Sequence, residues 1–128
     1  MTTGPSRANS AAGRRRAWRF GRWGEALCAA LLRAKGYRVL ARGYRVRVGE
    51  IDLIARRGVV VAFVEVKSRH TPAGEVLSLR QQQRIVRAAS AFIAAHPHLA
   101  GLDQRFDLML VGRWRWPRHC RDAWRPSG

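Results

Sequence analysis

Two short apolar stretches of the sequence contain acidic residues whose types and spacing could hold a metal ion. The first is Glu50-Ile51-Asp52 and the second is Glu65-Val66-Lys67. Solubility does not explain these acids, since the chain has only 8 Asp and Glu against 25 Lys and Arg. A charged residue in an apolar strand costs free energy unless it is paired or bound to a metal. The pattern therefore indicates a site for a divalent cation.

The two stretches can share one face of a β-hairpin. Side chains in a strand alternate between faces, so Glu50 and Asp52 share a face of one strand. By the same rule, Glu65 and Lys67 share a face of the next. A two-residue turn at Arg57-Gly58 predicts that Glu50 is opposite Glu65 and that Asp52 is diagonal to Glu65. The four charged residues then converge, whereas a slip of one residue would separate them.

Carboxylates that converge in this way repel one another unless a proton or a metal ion lies between them. Their hard oxygen atoms suit Mg²⁺ or Mn²⁺, which can polarise a phosphodiester and lower the pKa of an attacking water molecule. Lys67 could stabilise the charge of the transition state or orient the water. Glu25 could add a carboxylate from the first helix. The alternative for Asp52, Glu65 and Lys67 is a buried ion pair that specifies strand register, and for Glu25 a solvated pair with a nearby arginine.

The elements that must position these residues follow from hydrophobic periodicity. Three- and four-residue spacings predict two helices, and alternation or short apolar runs predict four strands. The order α-β-β-β-α-β predicts one α/β domain with a mixed central sheet flanked by helices. The predicted elements are a helix over 20–36, strands over 37–48, 50–55 and 59–67, a helix over 79–95 ended by Pro97, and a strand over 106–111.

Apolar spacing also predicts which face of each helix is buried. The inward residues predicted for the first helix are Trp23, Leu27, Ala30, Leu31 and Ala34. Those predicted for the second are Ile85, Ala88, Ala89, Phe92 and Ile93. Three arginines, Arg80, Arg84 and Arg87, are predicted to face outward from the second helix. They are either a solvated face or contacts to phosphates, and the charge of the chain favours phosphate.

The formal net charge of +17 and the isoelectric point near 11.9 predict a polyanionic partner. Nucleic acid fits this charge, DNA before RNA. A membrane is not predicted as the partner, because no apolar run approaches the roughly 20 residues that span a bilayer. Cys28 and Cys120 lack the spacing of a disulfide framework or a zinc site, which favours reduced thiols in a cytoplasmic protein.

Composition divides the chain into three segments. Residues 1–17 are predicted to be a mobile basic arm, residues 18–112 the folded domain and residues 113–128 a tail rich in Arg and Trp. The tryptophans of the tail either stack on unpaired bases or fold onto the core, and both alternatives stay open. Asp107 is predicted to pair with Arg105 near the last strand, and no histidine has a trusted ligand spacing.

The acidic stretches resemble a known nuclease motif. Asp52, a gap and then Glu65-Val66-Lys67 are similar to the PD-(D/E)XK motif, although the acid stands in Glu-Ile-Asp rather than Pro-Asp. Five motifs in order resemble the YraN family, small bacterial proteins classed as predicted endonucleases and related to archaeal Holliday-junction resolvases. These motifs are Gly24-Glu25, Gly36-Tyr37, Gly49-Glu50-Ile51-Asp52-Leu53-Ile54, Phe63-Val64-Glu65-Val66-Lys67-Ser68-Arg69 and Arg105-Phe106-Asp107.

This resemblance implies a restriction-endonuclease-like core and a role for each matching residue. Asp52 and Glu65 would be metal ligands, Lys67 the catalytic lysine and Glu25 the helix carboxylate, while Glu50 would be a ligand or the partner of one. Members of the family often have a lysine near residues 81–83, where this chain has three glutamines. A glutamine can still hydrogen-bond phosphate, and the residues expected to contact nucleic acid are Arg69, Arg80, Gln82, Arg84 and Arg87.

The expected activity is metal-dependent hydrolysis of phosphodiesters in branched or structured DNA. Resolvases act as symmetric dimers, so a homodimer is a further hypothesis. Two alternatives stay open. One is a non-catalytic nucleic-acid-binding protein that retains the nuclease fold. The other is a basic accessory protein that docks onto another nuclease or a ribonucleoprotein.

Overall fold

The computed structural model describes residues 21–71 and 77–126, so the predicted N-terminal arm lies outside the described residues. In the described part, a five-stranded mixed sheet packs with two helices. The elements are α1 (21–34), β1 (Arg38–Val46), β2 (Gly49–Arg57), β3 (Val60–Ser68), α2 (Leu79–Ala95), β4 (Asp103–Val111) and β5 (Arg118–Trp124). The predicted order α-β-β-β-α-β is confirmed over the first six elements and is consistent with a restriction-endonuclease-like core.

The sheet has the strand order β1-β2-β3-β4-β5. The strands β1, β2 and β3 form an antiparallel meander, while β3 and β4 are parallel and are connected through α2. The prediction that β4 is the last strand is wrong, because β5 pairs with it antiparallel. The segment Arg118–Trp124 was not predicted as a strand, because charged residues interrupt the alternation of apolar and polar side chains. Its backbone hydrogen bonds are made to the otherwise free edge of β4.

The hairpin of β2 and β3 turns one residue later than predicted. Its turn is Gly58-Val59, with Gly58 at φ +59°, a left-handed conformation that glycine adopts readily. Leu53 therefore pairs with Val64, a register two residues away from the predicted one. The predicted pairing of Glu50 with Glu65 is wrong. Because side chains alternate with a period of two, this shift keeps every side chain on its predicted face.

The buried face of α1 differs from the predicted stripe. Cys28, Ala29 and Leu32 are fully buried against the sheet, and Leu27 and Leu31 are only partly buried. Trp23, Ala30 and Ala34 are exposed, so their prediction as inward residues is wrong. Small side chains on α1 let the helix lie close to the sheet: a Cβ at Gly24 would meet Val66 and Val111 at 3.7 Å.

The helix α2 follows its prediction closely. Ile85, Ala88, Ala89 and Phe92 are buried, and Ile93 packs at the edge of the same core. Ser78 caps the helix, since its Oγ accepts a hydrogen bond from the backbone nitrogen of Gln81 at 3.1 Å. The helix ends at Ala95, and Pro97 begins a short 3₁₀ turn as predicted.

The close approach of α2 to β2 depends on one glycine. A Cβ at Gly49 would overlap the backbone carbonyl of Arg84. Gly49 is buried, so no solvent-filled gap could accommodate the added atom. This contact holds the first half of α2 over the strand that contains Glu50 and Asp52.

Candidate functional site

An acidic cleft of about 200 Å³ lies between the sheet and the first turns of α2. Its lining residues are Glu50, Asp52, Glu65, Gln81, Arg84 and Ile85. The antiparallel pairing of β2 and β3 brings the acids together, because the positions that follow the Leu53–Val64 pair are Asp52 and Glu65. The sequence-predicted acids of both strands thus converge on one cleft in the folded chain.

Asp52 is fixed in this cleft by the backbone of the neighbouring strand. Its Oδ2 accepts a hydrogen bond from the backbone N–H of Val66 at 2.8 Å. Burial raises the pKa of Asp52, and this effect outweighs the hydrogen bonds from Val66 and Glu65 and the charge of Lys67, which lower the pKa. The position of the carboxylate is therefore fixed, but its surroundings do not fully compensate its negative charge.

Glu65 has the most strongly shifted acidic group of the cleft. Burial, followed by the charge of Asp52 and a hydrogen bond with it, raises the pKa of Glu65 to about 9. Lys67 opposes this shift with its Nζ 3.7 Å from Oε2 of Glu65. One ammonium group does not compensate two partly buried carboxylates that lie side by side, which favours a proton shared by the pair when no cation is bound.

This donor set fits a hard divalent cation. Asp52 and Glu65 present two carboxylates whose charge Lys67 compensates only in part. Mg²⁺ is commonly held by one or two carboxylates together with water. Across residues 21–71 and 77–126, no group of three or more His, Cys, Asp and Glu side chains has the arrangement of a metal site. A cation held by Asp52 and Glu65 alone would have to keep several water ligands.

Glu50 lines the cleft but its charge is already paired. Its carboxylate lies 3.2 Å from Nη2 of Arg45 and 3.9 Å from Nη2 of Arg84, and the side chain is 49% exposed. A half-exposed carboxylate between two arginines has little need of a cation. Glu50 instead links β2 to the arginine face of α2.

Glu25 approaches from α1 without lining the cleft described above. Burial raises its pKa, and the charge of Asp52 adds to this, while Arg42 and Arg22 lower it. Its Oε1 lies 3.9 Å from where a Cβ of Gly43 would be, on the edge strand β1. The structure thus places Glu25 within electrostatic reach of Asp52.

The predicted nucleic-acid contacts separate into two groups. Arg80, Arg84 and Arg87 are exposed on α2 as predicted, with Arg84 at the cleft. Gln82 turns away, since its amide donates to the carbonyl of Leu77 at 3.4 Å. Gln81, which was not predicted as a site residue, lines the cleft instead. The cap at Ser78 was the available signal, because it sets Gln81 one turn before Ile85.

A second buried charge cluster lies outside the cleft. The predicted pair of Arg105 and Asp107 is confirmed, with two hydrogen bonds at 2.8 and 2.7 Å. Sequence reasoning missed His119, whose Nε2 lies 2.7 Å from Oδ2 of the fully buried Asp107. The Nζ of Lys35 bonds the other ring nitrogen of this histidine, so its Nε2–H donates to Asp107.

The cluster attaches β5 to the rest of the domain. Burial alone would raise the pKa of Asp107, but hydrogen bonds from His119, Arg105 and the backbone of Asp122 lower it to about 2. Arg105 also bonds the hydroxyl of Tyr37 at 2.6 Å. The ionised Asp107 therefore joins β4 to β5, and through Arg105 it is linked to Tyr37, which lies between α1 and β1.

Comparison with known proteins identifies similar chains. The model of "Uncharacterised protein family UPF0102" matches residues 24–111, a range that includes the cleft acids and ends with β4. The chain is 54% identical over 127 residues to the UPF0102 protein amb4503 of Paramagnetospirillum magneticum, covering 94% of this chain and 95% of the relative. It is 52% identical over 112 residues to a UPF0102 protein of Parvibaculum lavamentivorans, covering 86% and 84%.

A further relative, a UPF0102 protein of Methylocella silvestris, is 48% identical over 112 residues, which cover 86% of this chain and 90% of the relative. These similarities extend over almost the whole length of each protein. In the described part of the chain, none of the helices is both long and apolar enough to span a membrane.

Proposed function

The chain belongs to the UPF0102 (YraN) family, and from this premise we propose that it is a metal-dependent endonuclease acting on DNA. The observation that carries the proposal is the pair of partly buried carboxylates, Asp52 and Glu65, beside Lys67. Burial raises the pKa of both acids, which a structural ion pair would not require. A cation would replace the retained proton and relieve the repulsion of the two carboxylates.

In the proposed reaction, water attacks the phosphorus of a phosphodiester and one P–O bond breaks, giving a phosphate monoester and a hydroxyl. Mg²⁺ or Mn²⁺ bound by Asp52 and Glu65 would polarise the phosphate and lower the pKa of the water. Lys67, 3.7 Å from Glu65, stabilises negative charge that develops on the phosphate oxygens. Glu25, whose pKa is raised by burial and by the charge of Asp52, would add a further carboxylate near the site.

The exposed arginines of α2 bind the backbone of the substrate in this proposal. Arg84 connects this surface to the cleft, since it lines the cleft and pairs with Glu50. Arg80 and Arg87 extend the positive surface along the helix, and phosphate contacts of this kind dominate nucleic-acid affinity. Gln81 takes the place assigned above to Gln82, because it is the glutamine that faces the cleft.

The relation of the family to resolvases favours branched or structured DNA as the substrate, with a homodimer that makes paired incisions. The proposal assigns the protein to the cytoplasm, which its two free cysteines, Cys28 and Cys120, support.

The test is a calorimetric titration of Mn²⁺ into the wild type, Asp52→Asn and the control Asp103→Asn. Asn at position 52 keeps an acceptor for the N–H of Val66 but lacks the charge. Asp103 is exposed and pairs with Val60 at the opposite end of the sheet. We expect Asp52→Asn to weaken Mn²⁺ binding by at least about 10-fold, in line with the loss of a carboxylate ligand, and Asp103→Asn to bind as the wild type does.

The same proteins are then incubated with four-way junctions, flaps and duplex DNA in Mg²⁺ or Mn²⁺. Cleavage by the wild type and by Asp103→Asn, but not by Asp52→Asn, is the expected result. Metal binding that ignores Asp52 would refute the metal site. Salt-dependent DNA binding without cleavage of any substrate would instead favour a non-catalytic nucleic-acid-binding protein.

A further inference from the structure

Two tryptophans are displayed to solvent immediately after β4. The segment Arg113-Trp114-Arg115-Trp116, here named the Arg/Trp loop, leaves Trp114 97% and Trp116 77% exposed. Exposed indoles are uncommon on a soluble surface unless they bind something. Trp114 also adopts φ +63°, a left-handed conformation that is strained for a bulky residue.

The exposure is selective. Trp124, eight positions beyond Trp116, packs on Phe106 with ring centroids 4.5 Å apart and belongs to the α2 side of the core. The C-terminal segment can therefore partly bury an indole, yet it leaves Trp114 and Trp116 exposed. The two tryptophans of the Arg/Trp loop alternate with Arg113 and Arg115, which are exposed as well.

The Arg/Trp loop is tied to the strand of the cleft by Arg69, two residues after Lys67. The backbone N–H of Arg69 donates to the carbonyl of Val111 at 2.9 Å, and its Nη2 donates to the carbonyl of Trp116 at 3.0 Å. Lys67 pairs with Leu110 in the parallel sheet, so the loop begins just past the row of Lys67. The loop is thus held at the same end of the sheet as the proposed catalytic lysine.

Arg69 also contributes to a basic hollow beneath Trp114. The residues that line this hollow are Arg69, His70, Gly112, Arg113, Trp114 and Arg115. The Nε of Arg69 is buried, and no hydrogen-bond partner for it lies in the described parts of the chain. The arginines that line the hollow suit a phosphate group.

We propose that the Arg/Trp loop binds unpaired bases of a single-stranded segment next to the cleavage site, an inference that rests on the proposed nuclease function. Trp114 and Trp116 offer indole faces on which bases stack, and the arginines contact the phosphates between them. Bases in an intact duplex already stack on one another, so the loop discriminates in favour of junctions, flaps and other DNA with open strands. The substrate class is therefore DNA with single-stranded character.

The test measures the fluorescence anisotropy of a labelled oligothymidine of about 15 nucleotides and of a duplex of equal phosphate number, in EDTA so that cleavage plays no part. The variants are Trp114→Ala with Trp116→Ala, and Trp114→Phe with Trp116→Phe. Two further double variants test the charge. One combines Arg113→Gln with Arg115→Gln, and its control combines Arg33→Gln with Arg38→Gln. Arg33 and Arg38 are exposed, and Arg38 pairs with Arg56 at the opposite end of the sheet.

We expect the double alanine variant to lose about 10- to 100-fold in affinity for the single strand and at most about 3-fold for the duplex. The phenylalanine variant should keep most of the affinity, since it retains aromatic faces. The loop arginine variant should weaken single-strand binding more than the Arg33 and Arg38 control does. Trp114 and Trp116 are exposed, so circular dichroism should give the same folded spectrum for all variants.

Equal losses for both ligands, no loss for the single strand, or no binding of the single strand by the wild type would overturn the inference. Binding to vesicles of equal parts phosphatidylcholine and phosphatidylserine is measured as well. If the double alanine variant lost affinity for the vesicles alone, the inference would be overturned and the loop would be a membrane contact. The outcome is separable from the nuclease proposal. A protein that binds single strands through Trp114 and Trp116 but cleaves nothing would refute the nuclease and leave the binding site.

Discussion

The Asp52 carboxylate on β2 accepts a hydrogen bond from the backbone N–H of Val66 on β3, with Oδ2 2.8 Å from the nitrogen. A backbone donor has no freedom to rotate away, so this bond fixes the carboxylate beside Glu65. The proximity of the two acids is therefore imposed by the sheet itself, and the fold has to be stable enough to maintain it. In the proposed metal site, this arrangement would pre-organise two oxygen ligands before a cation binds.

Glu65→Gln should stabilise the metal-free protein at neutral and alkaline pH. The pKa of Glu65 rises from 4.5 to about 9 on folding, so the unfolded chain releases this proton first as the pH increases. The wild type should lose stability between about pH 5 and pH 9, by up to about 1.4 kcal/mol per pH unit. Gln removes this loss.

Urea unfolding in EDTA at several pH values checks this expectation. Asp103→Asn, an exposed acid at the other end of the sheet, is the control and should follow the wild type. If the unfolding free energies of the wild type and Glu65→Gln changed with pH in the same way, the shared proton of the Asp52–Glu65 pair would be contradicted.

Glu50→Gln should leave the Mn²⁺ affinity within about 3-fold of the wild type, well short of the loss of a ligand. Glu50 is half exposed and already pairs with Arg45 and Arg84, so it has no uncompensated charge to offer. Calorimetric titration beside Asp52→Asn provides the comparison. An equal loss of affinity in both variants would make Glu50 a direct ligand.

Asp107→Asn should destabilise the protein by about 3–5 kcal/mol at pH 7, because Arg105 and His119 lose a buried charged partner. The pKa of Asp107 is lowered to about 2, so its contribution is present above about pH 4 and disappears as the pH falls toward 2. The gap in unfolding free energy between wild type and variant should narrow over that interval.

The Mn²⁺ affinity of Asp107→Asn should match that of the wild type, since this cluster does not line the cleft. A variant that keeps its stability but loses the metal would assign Asp107 to the site rather than to the attachment of β5.

Gly49→Ala should destabilise the fold by about 3 kcal/mol or more. The added Cβ would overlap the backbone carbonyl of Arg84, and a helix backbone cannot move without disturbing the packing of Ile85. Gly101→Ala is the matched control, because its Cβ would meet nothing within 4 Å. Thermal unfolding of the two variants should differ by several degrees or more, and similar values would show that α2 adjusts freely.

Several features of the site could be predicted from the sequence because they depend on local order. Period-two alternation placed Glu65 with Lys67 and Glu50 with Asp52, whatever the exact turn. Ser78, Pro97 and the apolar spacing between them determined α2 and the exposure of its arginines. The order of the first six elements followed from the same periodicities.

Other features depend on which surfaces meet. Gly58 can occupy either position of a tight turn, so only the packed sheet selected the register that sets Asp52 beside Glu65. Apolar residues on α1 occur in two adjacent stripes, and the close approach of the helix to the sheet selected the one with Cys28 and Leu32. His119 reached Asp107 only after β5 paired with β4, across a separation that no local spacing encodes.

The sequence by itself determined which chemical groups are present and which face of a helix or strand each one occupies, because the periodicities of helices and strands act over a few residues. Tertiary structure decided which groups are in contact. Val66 donates a hydrogen bond to Asp52, Arg45 and Arg84 form ion pairs with Glu50, and Arg69 anchors the Arg/Trp loop. Apart from the Arg45–Glu50 pair, which spans five positions, those contacts join residues distant in the chain. They form only where burial of the common core outweighs the entropy of closing the loops between them.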